Sequence, residues 1–291
     1  MLDSTPSFIL KELLNNGRRK FVEISDRIKV SKKTVWKHYK IMKQKGIIVG
    51  STIQLNYRKM GINQVINIYA NVKHDKLVQY QNQLLEMPNV YSVFPRSPKY
   101  NIGIVALLMD INELENLRNR LRQEIEIKEM ITFSWLGIKN FPENLNLNPN
   151  LKKNSDDPIS NNSLQHNRES QKIVLDKKDK RIIEKLGENS RISFRSLSKE
   201  MEISQDTLTK RYNKLVENQI IKSVIQINPK MLGYTGFPHF HLSFSSKVKI
   251  KQVIDYISSI PDIIHIIVTS GEYDLVVYAF VKNIEHFLEI K

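Results

Sequence analysis

The chain repeats itself. Shifted by 173 positions, Ser31, Thr34, Lys37, Tyr39, Ile47 and Ile48 fall on identical residues Ser204, Thr207, Lys210, Tyr212, Ile220 and Ile221. After a one-residue slip, Ser51, Ile53, Gln54, Asn56 and Gly61 match Ser223, Ile225, Gln226, Asn228 and Gly233. The first register then resumes through Pro88 and Pro261, Ser97 and Ser270, Tyr100 and Tyr273, Ala106 and Ala279. Two copies held in register over this length must share one fold, so every difference between them is a comparison inside one molecule.

Between the copies, Pro142 to about Ser170 is rich in Asn, Ser, Lys and Pro and has no apolar periodicity, which predicts a linker. Some 30 flexible residues span roughly 30 Å, enough for the copies to pack together or occupy nearby sites. The apolar fraction of 41% can supply cores. The absence of cysteine excludes disulfides, thiolate metal sites and a cysteine nucleophile, and it suits a reducing cytoplasm. The start of the chain lacks a basic-then-apolar leader and no window is apolar enough to span a bilayer, so neither secretion nor a membrane is expected.

Each copy opens with three short helical patterns. In the first, Ile9, Leu10, Leu13 and Leu14 recur at helical spacing, followed by a second pattern through Val22, Ile24 and Ile28. Ser31 then predicts an N-cap for a third helix from Lys32 to about Lys45, stopped by Gly46. Val35, Tyr39 and Met42 form its inward stripe, which leaves Lys32, Lys33, Trp36, Lys37 and Lys40 facing elsewhere, with Thr34 near the helix start. A basic third helix of this kind is the recognition helix of a helix-turn-helix, whose early residues enter the major groove of DNA. Ile47 to Leu55 reads as the wing or first strand beyond it.

Net charge is +15, from 45 Lys and Arg against 30 Asp and Glu, and its distribution is uneven. Residues 11–45 hold 12 basic and 3 acidic side chains, a surplus of +9; the matched window 184–218 holds 7 and 6, a surplus of +1. Copy one is therefore expected to bind DNA phosphates more strongly. Copy two offers Gln205, Thr207, Thr209, Lys210, Arg211 and Asn213 for hydrogen bonds to DNA, with Asp206 opposing phosphate.

The rest of each copy reads as strand, helix, strand, strand, helix, strand: residues 65–72, 76–85, 90–94, 102–109, 112–122 and 131–136 in copy one. This is the ferredoxin-like βαββαβ unit. Copy two repeats it through 240–244, 248–258, 263–268 and 275–281, and residue 291 falls inside the next helix, which leads us to expect a fragment or an edge completed by a partner. The expected fold is α+β, with two (winged) helix-turn-helix domains alternating with two ferredoxin-like domains, the second incomplete. Its expected division is 1–58, 59–140, a linker over 141–175, 176–231 and 232–291.

Taken together, Val35, Tyr39, Met42 and Gly46 to Gly50, Gly61 at the entry to the βαββαβ unit, and Ser270 to Leu275 before its third strand resemble the Lrp/AsnC family, the leucine-responsive regulators. The resemblance covers residues 8–138 and about 176–291. It implies a DNA-binding transcription regulator, cytoplasmic and nucleoid-associated, whose partner is double-stranded DNA and whose effector is an amino acid or other small molecule. Its ferredoxin-like modules would dimerise sheet to sheet, here as a pseudo-dimer within the chain, and assemble further into homo-oligomers. The resemblance also marks Gly271, Glu272, Tyr273 and Asp274 as the effector loop, where glycine permits close approach and Asp274 could pair with an ammonium group. The alternative is a tight turn between strands. Copy one has Pro98-Lys99-Tyr100-Asn101 there and lacks the glycine and carboxylate.

Two other function classes stand beside the regulator. Siroheme decarboxylases resemble the family in fold, and Arg96, Tyr100 to Ile102 and His265 resemble part of their site, although Ser92 stands opposite His265 and Gly103 replaces an expected aromatic. A ligand-sensing or assembly partner without DNA readout is the third. His239 and His241 share a strand face with no third ligand at metal spacing, so a solvated pair is expected; neither metal nor cofactor is implied.

Overall fold

A computed structural model of the chain describes residues 2–97, 99–147, 174–245 and 248–291. Copy one comprises α1 (Ser4–Asn15), α2 (Phe21–Ile28), α3 (Lys32–Gln44), β1 (Ile48–Leu55), β2 (Gln64–Val72), α4 (Leu77–Leu85), β3 (Val90–Pro95), β4 (Ile102–Leu108), α5 (Glu113–Glu124) and β5 (Ile127–Asn140). Copy two comprises α6 (Lys177–Glu188), α7 (Phe194–Glu200), α8 (Gln205–Glu217), β6 (Ile221–Ile227), β7 (His239–Leu242), α9 (Ile250–Ile257), β8 (Ile263–Ser270), β9 (Leu275–Ala279) and α10 (Ile284–Ile290).

The repeat is written into the backbone as well as the side chains. Positive φ recurs at matched positions: Lys29 and Glu202 (54° and 55°), Gly46 and Gln219 (68° and 56°), Asn89 and Asp262 (70° and 65°), Gly61 and Gly233 (88° and 87°). A left-handed residue costs an L-amino acid energy, so four recurrences, two of them with non-glycine residues in both copies, mark turns that the fold dictates. Ser31 and Ser204 cap α3 and α8 in the same way, each accepting from the backbone N–H three residues on.

Two interfaces join the copies. In the first, β1 pairs antiparallel with β6, which places the helix-turn-helix units back to back. Arg18 and Arg191 then cross that seam reciprocally. Arg18 donates to the carbonyls of Ser190 and Ile192 and stacks 4.4 Å from the Phe194 ring centroid and 5.4 Å from that of Tyr212. Arg191 donates to the Gly17 carbonyl and lies 4.9 Å from Phe21 and 5.2 Å from Tyr39. Burial pushes the pKa of both guanidinium groups down. Six residues at one offset thus make a two-fold clasp, the isologous contact of a homodimer carried within one chain.

Gly17 is the tightest point of the clasp. Its N–H donates to the Ser223 carbonyl at 2.8 Å, and a Cβ there would stand 2.6 Å from the Val224 carbonyl carbon. Backbone cannot move aside as a side chain can. Gly17→Ala should lower stability by about 1–3 kcal/mol, the range for forced overpacking, as a reduced denaturant midpoint. An unchanged midpoint would mean that the seam is looser than described.

The second interface is a single seven-stranded sheet, ordered β3-β4-β2-β5-β8-β9-β7. Helices α4 and α5 cover one face of copy one around Ile68, Ile104, Leu84 and Leu121, and the same face continues in copy two under α9 with Ile254, Ile266 and Val277. On the opposite face the sheet folds back on itself, so that Tyr69, Phe133, Ile267 and Val276 from both copies form one buried cluster. Strand β5 makes the join. Its first part pairs with β2; from Ser134 onward it pairs with β8, with a bulge between Trp135 and Gly137.

The strand expected over 131–136 is therefore 14 residues long. The connection expected from residue 141 also begins later, because Phe141, Leu145 and Leu147 are buried and the Asn144 side chain donates to the Ser258 and Ile263 carbonyls. The remainder of that segment, 148–173, lies outside the described residues. No described helix is long and apolar enough to cross a membrane.

Candidate nucleic-acid interface and effector loop

Helix α3 stands on a buried seam of Val35 and Met42, with Tyr39 packed 5.1 Å from Phe21. The opposite surface carries Lys32, Lys33, Trp36, Lys37 and Lys40, all exposed. Among the described residues none of these lysines is ion-paired. Trp36 keeps 51% of its surface open and has the Lys40 ammonium over its ring, 5.1 Å from the centroid, so the exposed face presents an aromatic ring beside a cation. The Thr34 hydroxyl is half-buried, 2.9 Å from the Ser31 hydroxyl, and belongs to the helix cap.

Three cations of the +9 window are spent internally. Arg19 and Arg27 converge on the Glu12 carboxylate, which is largely buried. Arg18 is spent in the clasp. The field toward solvent thus comes mainly from α3 and the lysines that flank it.

Helix α8 exposes Gln205, Asp206, Lys210 and Asn213, while Thr207 and Thr209 are half-buried. Their hydroxyls are engaged, Thr207 with Ser204 at 2.8 Å and Thr209 donating to the Gln205 carbonyl at 2.8 Å. Arg211 is a correction to the expected DNA-facing set. Its guanidinium holds Asp176 at 2.8 Å and Asp179 at 2.7 Å, the two carboxylates that cap α6, so it braces the domain. These carboxylates raise the Arg211 pKa, while the Asp179 backbone N–H and then the Arg211 guanidinium lower that of Asp176. Copy two is left with fewer free cations than its sequence suggests.

The loop expected to hold an effector, residues 271–274, is the turn between β8 and β9. Gly271 sits at φ 139°, with Phe133 and Thr132 of copy one against the place a Cβ would occupy. Asp274 accepts from the Phe244 N–H at 2.7 Å. Its copy-one counterpart Asn101 accepts from the Val72 N–H at 3.0 Å, the same support in the same place, which is the tight-turn role. Glu272 points outward and meets Lys99 of copy one at 3.6 Å, while Tyr273 packs 4.7 Å from His241. The two loops are neighbours across the copy interface.

The histidine pair differs from the solvated expectation. His239 and His241 face the folded-over half of the sheet, and burial, helped by the Arg96 cation, pushes both pKa values down to about 4. Arg96 lies 3.5 Å from the Tyr69 ring centroid, and the Tyr69 hydroxyl is 3.3 Å from His241 Nε2. His265, 2.6 Å from Asn140 Oδ1, is likewise lowered to about 4 by burial. Among the described residues no three His, Asp or Glu side chains converge as a metal site. The clasp arginines were not singled out from sequence, although a signal existed, because Arg18, Phe21 and Tyr39 all recur at 173.

The winged helix-turn-helix DNA-binding family matches the chain twice, at residues 5–49 and 175–222. The chain is similar to the HTH-type transcriptional regulator Ptr1 of Methanocaldococcus jannaschii, 34% identical over 113 residues covering 38% of this chain and 76% of that protein. It is similar also to LrpA of Pyrococcus horikoshii, 29% identical over 117 residues covering 40% and 83%. Over its whole length it shares a fold with the crystal structure of the siroheme decarboxylase NirDL, at a TM-score of 0.66 and 15% identity, covering 99% of this chain and 85% of that one. That likeness is one of fold. With 34% identity over an aligned stretch that spans 76% of Ptr1, and the winged DNA-binding unit present in both copies, the chain belongs to the Lrp/AsnC family of helix-turn-helix transcription regulators.

Proposed function

We propose that the chain is a sequence-specific regulator presenting two unlike recognition helices from one rigid pseudo-dimer. The observation that carries this reading is the reciprocal Arg18 and Arg191 clasp across the β1–β6 pair, because it fixes α3 relative to α8. Helix α3 supplies attraction to phosphate, and α8, with one lysine among Gln205, Thr207, Thr209 and Asn213, contributes base contacts. A homodimer reads a palindrome; this chain reads unequal half-sites about one helical turn apart. The domain division follows: DNA units over 1–58 and 176–231, joined sheet modules between and after them.

A small effector acts at the paired loops. Glu272 and Lys99 form an exposed ion pair across the copies. A free amino acid matches it with both of its charges, its ammonium toward Glu272 and its carboxylate toward Lys99. Gly271, Tyr273 and Asp274 hold the loop in shape.

Binding of fluorescent duplexes from the gene's own upstream region, with scrambled controls across a salt series, tests the regulator. Tighter binding to the upstream duplex with a steep salt slope is expected. Equal binding to both would leave a nonspecific DNA-coating role. The neutral histidines beside Arg96 favour a second, enzymatic reading related to the decarboxylase fold. Titration with iron-uroporphyrin separates the two: a regulator leaves the porphyrin spectrum unchanged, whereas a decarboxylase shifts it and loses activity on His265→Ala.

A further inference from the structure

The two helix-turn-helix units agree in their cores and disagree in their charges. Ile9 and Leu13 of α1 and Ile24 of α2 answer at 173 to Ile182, Leu186 and Leu197, all buried and close in volume. Either core would accept the first helix of the other copy, because volume-conserving exchanges are well tolerated. The charges would not. Four of the five charged residues of α1 and α2 meet the opposite sign at the matched position: Lys11, Glu12, Asp26 and Arg27 against Glu184, Lys185, Lys199 and Glu200.

Two of these reversals form an ion pair in each copy. The Glu12 carboxylate of α1 accepts from Arg27 of α2 at 2.6 and 2.7 Å, whereas the Lys185 ammonium of α6 meets Glu200 of α7 at 2.8 Å. Exchanging α1 and α6 would set Glu12 against Glu200 and Lys185 against Arg27. The Glu12 side chain is only 10% exposed, so water could not take the place of its lost cation. Position 8 adds to the conflict. Phe8 lies 5.9 Å from the Arg27 guanidinium, and its counterpart Arg181 donates to the Glu200 carbonyl at 3.3 Å, so exchange would bring a second cation to Arg27.

The exchange has a short route. The connections that follow α1 and α6 lie against one another, with Arg18 donating to the Ser190 carbonyl and Arg191 to the Gly17 carbonyl. Each first helix already touches the other copy: Ile225 of β6 belongs to the cluster of α1, and Ile53 of β1 packs on that of α6. Touching connections between like repeats are the setting in which elements trade places. The clasp residues are identical in the two copies and cannot tell them apart.

We propose that the inverted pairs Glu12–Arg27 and Lys185–Glu200 sort the helices of the two repeats, admitting α1 only to copy one and α6 only to copy two. Attraction within each copy and repulsion between copies act together, which is how alike partners are kept separate.

The chain has no cysteine, so Phe8→Cys with Lys199→Cys supplies the only thiols. A short flexible bismaleimide joins them where α1 has docked on α7, since positions 8 and 27 are neighbours in the sorted arrangement. Dilute full chain is unfolded in urea, refolded and crosslinked, and the internally joined fraction is compared between charge backgrounds. Lys185→Glu with Glu200→Arg gives copy two the signs of copy one and should raise that fraction about tenfold. Adding Glu12→Lys, Arg19→Ile and Arg27→Glu, the residue types of copy two, makes the signs opposite again and should return it to the starting value. That second set keeps Lys185→Glu beside Glu188, and so keeps any weakening of α6. A fraction unchanged by the first substitutions, or a rise that the second set fails to reverse, would overturn the proposal.

Discussion

Replacing Lys32, Lys33, Lys37 and Lys40 together by alanine should flatten the dependence of log K on log salt by about 3–4 for duplex DNA, whatever its sequence. Each phosphate contact releases condensed counterion worth a slope of about 0.9, and these four exposed ammonium groups are not neutralised within the described protein. The fold should be unaffected, since exposed lysines away from caps and cores contribute within about 0.5 kcal/mol each. The comparison is internal: Lys210→Ala in the matched helix of copy two should change the slope by about 1 or less, because Arg211 is bound to Asp176 and Asp179 and Asp206 stands at the helix start. Anisotropy titrations from about 50 to 200 mM salt read both. Equal losses from the two helices would mean that charge asymmetry in the sequence has no counterpart in binding.

The second large effect concerns acid. His239, His241 and His265 titrate near 4 in the folded chain, against 6.5 when exposed. Between those values the unfolded chain binds more protons than the folded one, so stability rises with pH across the window, is complete above about 6.5 and is lost on descent to about 4. His265, the most buried, contributes about 3 kcal/mol of that difference; His239 and His241 are half-exposed and screened by water, and contribute less each. Urea midpoints at pH 7 and pH 5 should differ accordingly, and His265→Gln, which cannot gain the charge, should remove about half of the difference. A midpoint that holds constant or rises on acidification would show that the inner face of the sheet is wet.

The parts of this fold legible in sequence are those whose signals are local or repeated. The Ser31 and Ser204 caps, the Val35 and Met42 stripe and the strand alternation of β2 depend on neighbours within a turn or a strand, and the internal repeat duplicates them. Strand β5 was visible only through Leu136 because beyond the bulge its partner is β8 of the other copy, and the alternation that identifies a half-covered strand breaks there. Arg211 reads as a free cation because its carboxylates lie 32 and 35 residues earlier. His239 and His241 read as solvated because what buries them is a sheet folded onto itself. At the loop 271–274, the residues match a family pattern, while the structure shows Asp274 and Asn101 bracing equivalent strand ends, a duty that composition cannot reveal.

The proposal that the clasp makes α3 and α8 one rigid reader of DNA has a direct measurement. Hydroxyl-radical footprinting of the chain on its upstream DNA should show two protected half-sites about one helical turn apart, unequal in sequence. The one held by α3 should survive at higher salt, and Arg18→Ala with Arg191→Ala should uncouple the two. Two equivalent half-sites lost at the same salt, or a footprint indifferent to the arginines, would contradict it.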